Sequence, residues 1–186
     1  MMHLKNITVG NPKTAEQYQL TKKEGITWLY SEDGKNWYEE YKKFSPDTIK
    51  VAYIANGYVV WTGKDVSVID PTGMSVIEIS DITANRRISA PGYWFYREGE
   101  FIFDYALKAE NERNVLLSKV SSITSEWEKD LLLGLISDKD KEKLKAYRIY
   151  AKTLRSMDFS HATDKKAYAE ITWPEFPRNP METAKQ

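Results

Sequence analysis

The sequence predicts an α+β protein in two parts: a β-rich N-terminal domain of short antiparallel strands over residues 1–105, then an antiparallel helical hairpin with an extended Trp-Pro tail over residues 106–186. Three observations carry this. In the front half, the turn pairs Asp33-Gly34, Asn56-Gly57 and Glu98-Gly99 interrupt runs of β-branched and aromatic residues. From about Ala106 the apolar spacing changes to the helical period. Near the end, Trp173-Pro174 and Phe176-Pro177 preclude helix and favour an extended segment laid against a surface.

In chain order, residues 26–30 and 36–41 read as two strands about Asp33-Gly34, a pair that tolerates the positive φ of a tight hairpin. Residues 51–55 and 58–62 about Asn56-Gly57 form the clearest hairpin. Residues 65–70 alternate in the strand period and meet Pro71-Thr72-Gly73, a turn that releases the chain into a strand over 74–79. Residues 81–91 read as a connecting loop, and 93–97 and 100–105 as strands about Glu98-Gly99. A sandwich, a barrel and small linked sheets all satisfy this pattern.

Leu116, Val120, Ile123, Trp127 and Leu131 lie on one helical stripe, which Gly134 stops. Ser137 with Asp138 and Asp140 starts a second helix carrying Leu144, Tyr147, Ala151 and Leu154, which ends near Asp158. So short a connection makes the two helices antiparallel neighbours. Residues 159–170 read as a polar loop and 179–186 as a disordered end.

Composition narrows function. The 27 basic and 27 acidic residues cancel, and neither half hides a bias, so nucleic acid is not an expected partner. No apolar run approaches the ~20 residues of a membrane span, and the start lacks a signal-peptide core, which makes a cytoplasm the expected compartment. The absence of cysteine removes disulfides, thiolate nucleophiles and Cys-type zinc sites.

Nothing in the chain spells an active site, and no cofactor, metal ligand set or catalytic residue is expected. His3 and His161 are the only histidines, and His161 beside Ser160 and Asp164 reads as a solvated loop. Asp138, Asp140 and Glu142 imitate the opening of a calcium loop, but Lys143 replaces its glycine and Ile149 its bidentate glutamate. No phosphate-binding glycine pattern is present.

The aromatic residues carry more weight. Of the 24, 17 precede Ala106, more large rings than a domain of that size needs for its core, which favours a protein or carbohydrate contact surface. Trp28, Tyr30, Trp37, Tyr38, Tyr58, Trp61 and Trp94 are the candidates. In the back half, Leu131, Leu132 and Leu133 span about 200° of a helix, which one neighbouring helix cannot cover. Trp127, Leu131, Leu132, Leu144, Tyr147, Tyr150, Leu154 and Trp173 are the candidates for self-association.

Trp127, Leu131, Leu133-Gly134, Asp138, Leu144, Tyr150, Leu154, Asp158 and Trp173-Pro174 with Pro177 form a combination that resembles the phage tail fibre assembly proteins. Upstream, Lys5-Asn6, residues 29–39 and residues 81–87 are similar to the enterobacterial branch of that family. The resemblance implies a non-enzymatic, dedicated chaperone that binds the C-terminal, receptor-binding end of a trimeric tail fibre and promotes its folding. It also implies a variable front domain for fibre recognition, a helical back domain for weak homo-oligomers, and action in the cytoplasm of the infected or lysogenic host, with retention on the virion as an alternative. The rivals are a carbohydrate-binding tip protein and a polysaccharide hydrolase with two convergent carboxylates.

Overall fold

The computed structural model describes residues 1–177, and the disordered end expected at 179–186 lies outside the described residues. The chain is α+β and divides into two compact units, Met1–Phe103 and Asp104–Gln186.

In the first unit the clearest turn signal makes one side of the main sheet. β4 (Thr48–Tyr53) and β5 (Val59–Gly63) pair as an antiparallel hairpin with a register shift between Ala52 and Tyr53. The Asn56 side chain accepts the Tyr58 N–H at 2.9 Å, and Gly57 takes φ +87°. Only a residue without Cβ adopts that value at no steric cost. Between them in chain order with the rest of the sheet stands the turn at Pro71, where the Met74 N–H bonds back to the Pro71 carbonyl at 2.9 Å. From it β6 (Ser75–Ser80) pairs along β4, and β1 (His3–Leu4) covers the other side of β6, giving the order β1-β6-β4-β5.

The period-two alternation sends Ala52 and Val76 to one face, with Leu4, Ile7, Leu29, Trp37 and Phe44, and Val51, Tyr53, Val59 and Ile79 to the other, with Ile88. Two ribbons accompany this sheet: β2 (Thr8–Gly10) with β3 (Trp28–Tyr30), and β7 (Trp94–Arg97) with β8 (Glu100–Phe103). Small linked sheets are therefore the arrangement adopted.

Three expectations fail in this unit. The strand expected over 36–41 is instead the short helix α2 (Trp37–Glu40), and the Asp33-Gly34 hairpin shrinks to one bridge between Tyr30 and Asn36. The cause is Asn36, whose side chain accepts the Tyr38 N–H at 2.9 Å and so caps a helix. The strand expected over 65–70 is a 3₁₀ turn, Val66–Val68, because Asp65 accepts the Ser67 N–H at 2.9 Å and curls the chain. A helix, α1 (Ala15–Glu24), stands in a half read as strands alone. Thr14 caps it through the Gln17 N–H at 3.1 Å, and Gly25 at φ +69° ends it.

The second unit is the expected hairpin. α3 (Tyr105–Leu132) begins at Asp104, which accepts the Leu107 N–H at 2.8 Å, and α4 (Asp138–Arg155) begins at Ser137, which accepts the Asp140 N–H at 3.1 Å. Between them Gly134 at φ +70° makes a Schellman stop: its N–H bonds to Leu131 at 3.2 Å and that of Leu135 to Asp130 at 2.8 Å. Val120, Tyr147, Tyr150, Ala151 and Leu154 are buried in the seam. Residues 159–170, expected as loop, contain the helix α5 (Lys165–Ala169), capped by Asp164 on the Ala167 N–H at 2.8 Å. Residues 171–177 form no regular element, as the prolines dictate, and Phe176 packs edge-on against Tyr147 and Tyr150 at 5.6 and 5.2 Å.

Candidate functional site

The irregular segments of the first unit build its principal groove, about 570 Å³. α2 supplies Trp37 and Tyr38 to one wall, and Tyr41 follows at the start of the next turn, its ring 5.7 Å from that of Trp37. Leu29 of β3 and Pro71 also line it. On the rims stand Val9, 59% exposed, and Val68, 70% exposed. The Asp65 turn that removes a strand is what projects Val68, because a strand would have given it a face of a sheet to pack on.

The aromatic wall is held rigid. The Tyr38 hydroxyl donates to the Thr27 carbonyl at 2.9 Å, and its ring meets Trp28 edge-on at 5.8 Å. Asp70 on the rim accepts from the Thr72 hydroxyl at 2.6 Å and from its N–H at 3.0 Å, which holds its carboxyl below the ordinary 3.8 and keeps it charged at neutral pH. A cleft of mixed lining with held aromatic rings and aliphatic rims has the features that can accept another molecule's side chains.

The structure brings together only part of the sequence-predicted aromatic set. Tyr38, half-buried, lines the groove, and Trp37 borders it from the core, where it is 3% exposed. Trp28 is buried, its indole N–H donating to Thr21 at 2.8 Å, and Tyr30 is buried, its hydroxyl donating to Gln17 at 2.8 Å; both anchor α1 to β3. Trp61 is half-buried and folds over Gly63, while Trp94 packs edge-on to Phe103 at 5.2 Å. Tyr58 is half-exposed beside Phe95 at 5.4 Å, away from the groove lining. Val9, Tyr41 and Val68 are the contributors that aromatic counting overlooks, and the Asp65-x-Ser67 turn chemistry is the signal that exposes Val68.

The self-association set divides as clearly. Leu144, Tyr147, Tyr150 and Leu154 are buried within the hairpin, Trp127 lies 5.9 Å from Tyr147, and Trp173 lies 5.4 Å from Phe159. At the hairpin's apex the situation reverses. Leu131 is 45% exposed, Leu132 87%, Leu133 71% and Leu135 72%, and Ile149 on α4 is also exposed. A Schellman stop normally places its last residue on an apolar side chain one turn back, but that position is Asp130, so Leu135 finds no such partner on its own helix. A second groove of about 620 Å³ opens here between Leu131, Leu132 and Leu144, with Glu128, Glu142, Lys145 and Arg148 on its sides.

His161 is exposed, and Ser160 donates to Asp158 at 2.8 Å instead of facing it. His3 is engaged with the Tyr53 hydroxyl at 2.7 Å. Among the described residues no group of three His, Cys, Asp or Glu side chains could hold a metal ion, and no helix is long and apolar enough to cross a membrane.

Comparison with known proteins places the chain in a family. The family described as "Caudovirales tail fibre assembly protein, lambda gpK" matches residues 39–178. The tail fiber assembly protein U' of Escherichia phage Mu is 49% identical over 183 residues, covering 95% of this chain and 99% of that protein. The tail fiber assembly protein U' of Escherichia phage P1 is 47% identical over the same shares of both chains, and the probable tail fiber assembly protein of Escherichia phage P2 is 39% identical over 96% of this chain and all of its own. Matches at this identity over nearly the whole length show that the chain belongs to the phage tail fibre assembly protein family.

Proposed function

We propose that this protein is a dedicated chaperone of a phage tail fibre: its first unit holds the C-terminal, receptor-binding region of the fibre while three chains come into register. The observation that carries the reading is the groove walled by half-buried Tyr38 and Tyr41 over the buried Trp37 and edged by exposed Val9 and Val68. Rigid aromatic rings beside solvent-facing aliphatic side chains suit the transient apolar surface of an incompletely folded fibre. Intertwined fibres depend on non-local pairings and expose strand edges while they form, so a partner that covers them prevents aggregation.

The exposed leucine apex of the second unit supports a complementary role. Weak self-association there, in the cytoplasm of the host cell, raises the local concentration of captured fibre chains and favours their trimerisation.

Co-expression with the cognate fibre tests the reading. Wild-type protein yields soluble trimeric fibre. Val68→Asp leaves a folded chaperone, because the side chain is 70% exposed, yet lowers the yield of soluble trimer several-fold, and Tyr38→Ala does the same. Full trimer yield with both variants would remove the groove from the mechanism.

A further inference from the structure

A separate cavity of about 440 Å³ in the first unit gathers polar side chains around an aromatic cluster. The Tyr53 and Tyr96 rings lie 4.8 Å apart, and His3 meets them at 5.9 and 5.6 Å while bonding the Tyr53 hydroxyl. Burial, and then the Lys5 ammonium, hold the His3 imidazole below its ordinary 6.5, so it is neutral at neutral pH. Around these rings stand Lys5, Asn6 and Glu98, all exposed. Among the described residues neither Lys5 nor Glu98 has an ion-pair partner.

The backbone gives a second, independent observation. Among the described residues the non-glycine positions at positive φ are Asn6, at 47°, and Glu98, at 52°, and both line this cavity. Asn adopts the left-handed region readily; Glu does not, and the tight turn Glu98-Gly99 would be served better by Asn or Gly. A local rule broken at a cavity wall marks a side chain retained for its chemistry.

From this geometry we infer that the cavity binds a neutral pyranose sugar. The half-buried Tyr96 ring, backed by buried Tyr53, supplies the apolar surface for one face of the sugar ring, and Lys5, Asn6 and Glu98 supply a donor, an amide and an acceptor for hydroxyls, which both give and accept hydrogen bonds. Charge favours a neutral ligand: Lys5 and Glu98 cancel, and the carboxylate of Glu32 lies beside the cavity, accepting from the Asn6 amide at 2.6 Å. This site stands apart from the fibre-binding groove and does not depend on it.

The test is an NMR titration of the full chain with the methyl glycosides of glucose, galactose and N-acetylglucosamine, with glucuronate and inorganic phosphate as charged comparisons. A neutral glycoside at millimolar concentration shifts the amides of residues 3–6, 53–55 and 96–99. Tyr96→Ala and Glu98→Gly each weaken its binding about tenfold, the loss expected for one such contact. Glu98→Gly also relieves the turn and leaves the fold at least as stable, which separates binding from folding, and fibre capture is unchanged. No shift with any of the three glycosides, shifts with the charged probes alone, or undiminished binding by Glu98→Gly each overturn the inference.

Discussion

The backbone N–H of Tyr96 donates to the Gly57 carbonyl at 2.7 Å, joining the β7–β8 ribbon to the turn of the β4–β5 hairpin. The register explains it: across a two-residue turn Arg97 and Glu100 form the inward-bonded pair, so the next residue, Tyr96, points its N–H outward. The neighbouring bridge between Tyr58 and Phe95 continues the junction. A Cβ on Gly57 would collide with the Tyr96 carbonyl oxygen, and φ +87° is costly for any side chain. Gly57→Ala is therefore expected to destabilise the first unit by at least about 1–2 kcal/mol, the left-handed penalty alone. Faster hydrogen exchange at Tyr96 and an earlier urea midpoint are the readouts, and an unchanged midpoint would refute the junction's importance.

A buried pair in the main sheet makes the first unit sensitive to acid. Lys50 and Glu78 are cross-strand partners, 1% and 9% exposed. The Lys50 ammonium donates to the carbonyls of Ser45 and Thr48. Burial opposes ionisation of Glu78, but bonds from the Met2 and Ser45 N–H groups and the Thr48 hydroxyl outweigh it, and its carboxyl lies below the ordinary 4.5. A depressed carboxylate contributes stability above its unfolded value and loses it as pH falls through its folded value. Stability should thus hold from neutrality to about pH 4.5 and fall below it. Glu78→Gln should be less stable at neutral pH and show a flatter dependence below that point; a parallel acid profile for the variant would assign the effect to other groups.

What the sequence disclosed follows from how locally each feature is encoded. The hairpin about Asn56-Gly57, the Gly134 stop and the Ser137 cap are each decided by a few adjacent residues, and each forms as read. Asn36 and Asp65 are equally local, but their side-chain bonds compete with strand formation, and a reading by hydrophobic alternation alone gives the wrong result. α1 is nearly invisible to hydrophobicity because its contacts are polar, Gln17 with Tyr30 and Thr21 with Trp28, although Thr14 followed by Gln17 is a capping signal. Which tryptophans are consumed by packing depends on such distant partners: Trp28 and Trp37 are both buried, and Trp37, a member of the core, borders the groove only from beneath.

The tail is a structural part of the helical unit. Phe176 meets Tyr147 and Tyr150 edge-on, the Lys119 ammonium sits 4.5 Å from its ring centre, and the Tyr147 hydroxyl donates to Pro177 at 3.2 Å. The side chain is half-buried, so Phe176→Ala is expected to cost about 1.5–3 kcal/mol, below the range of about 3–5 kcal/mol for truncating a fully buried aromatic. Helix content at low temperature stays near wild type, because the seam of Val120, Ala151 and Leu154 remains. A thermal melt of the helical signal that coincides with wild type would show the segment to be merely laid on the surface.

The apex offers the sharpest separation of association from folding. Leu132 is 87% exposed and Leu133 71%, so neither contributes much to the hairpin's own stability. Each large side chain hidden between two copies contributes on the order of 1.5–3 kcal/mol, and a few of them exceed the cost of association only modestly, which gives reversible oligomers. The lining of the apex groove carries both signs, Glu128 and Glu142 with Lys141, Lys145 and Arg148, so two copies can meet there without facing a surface of a single sign. Leu132→Lys should move the sedimentation profile towards monomer while leaving circular dichroism unchanged, and Leu132→Met, which keeps the apolar surface, should associate as wild type does. If wild-type protein stays monomeric at high micromolar concentration, or if the lysine variant associates equally, the apex has some other occupant and self-association does not proceed through it.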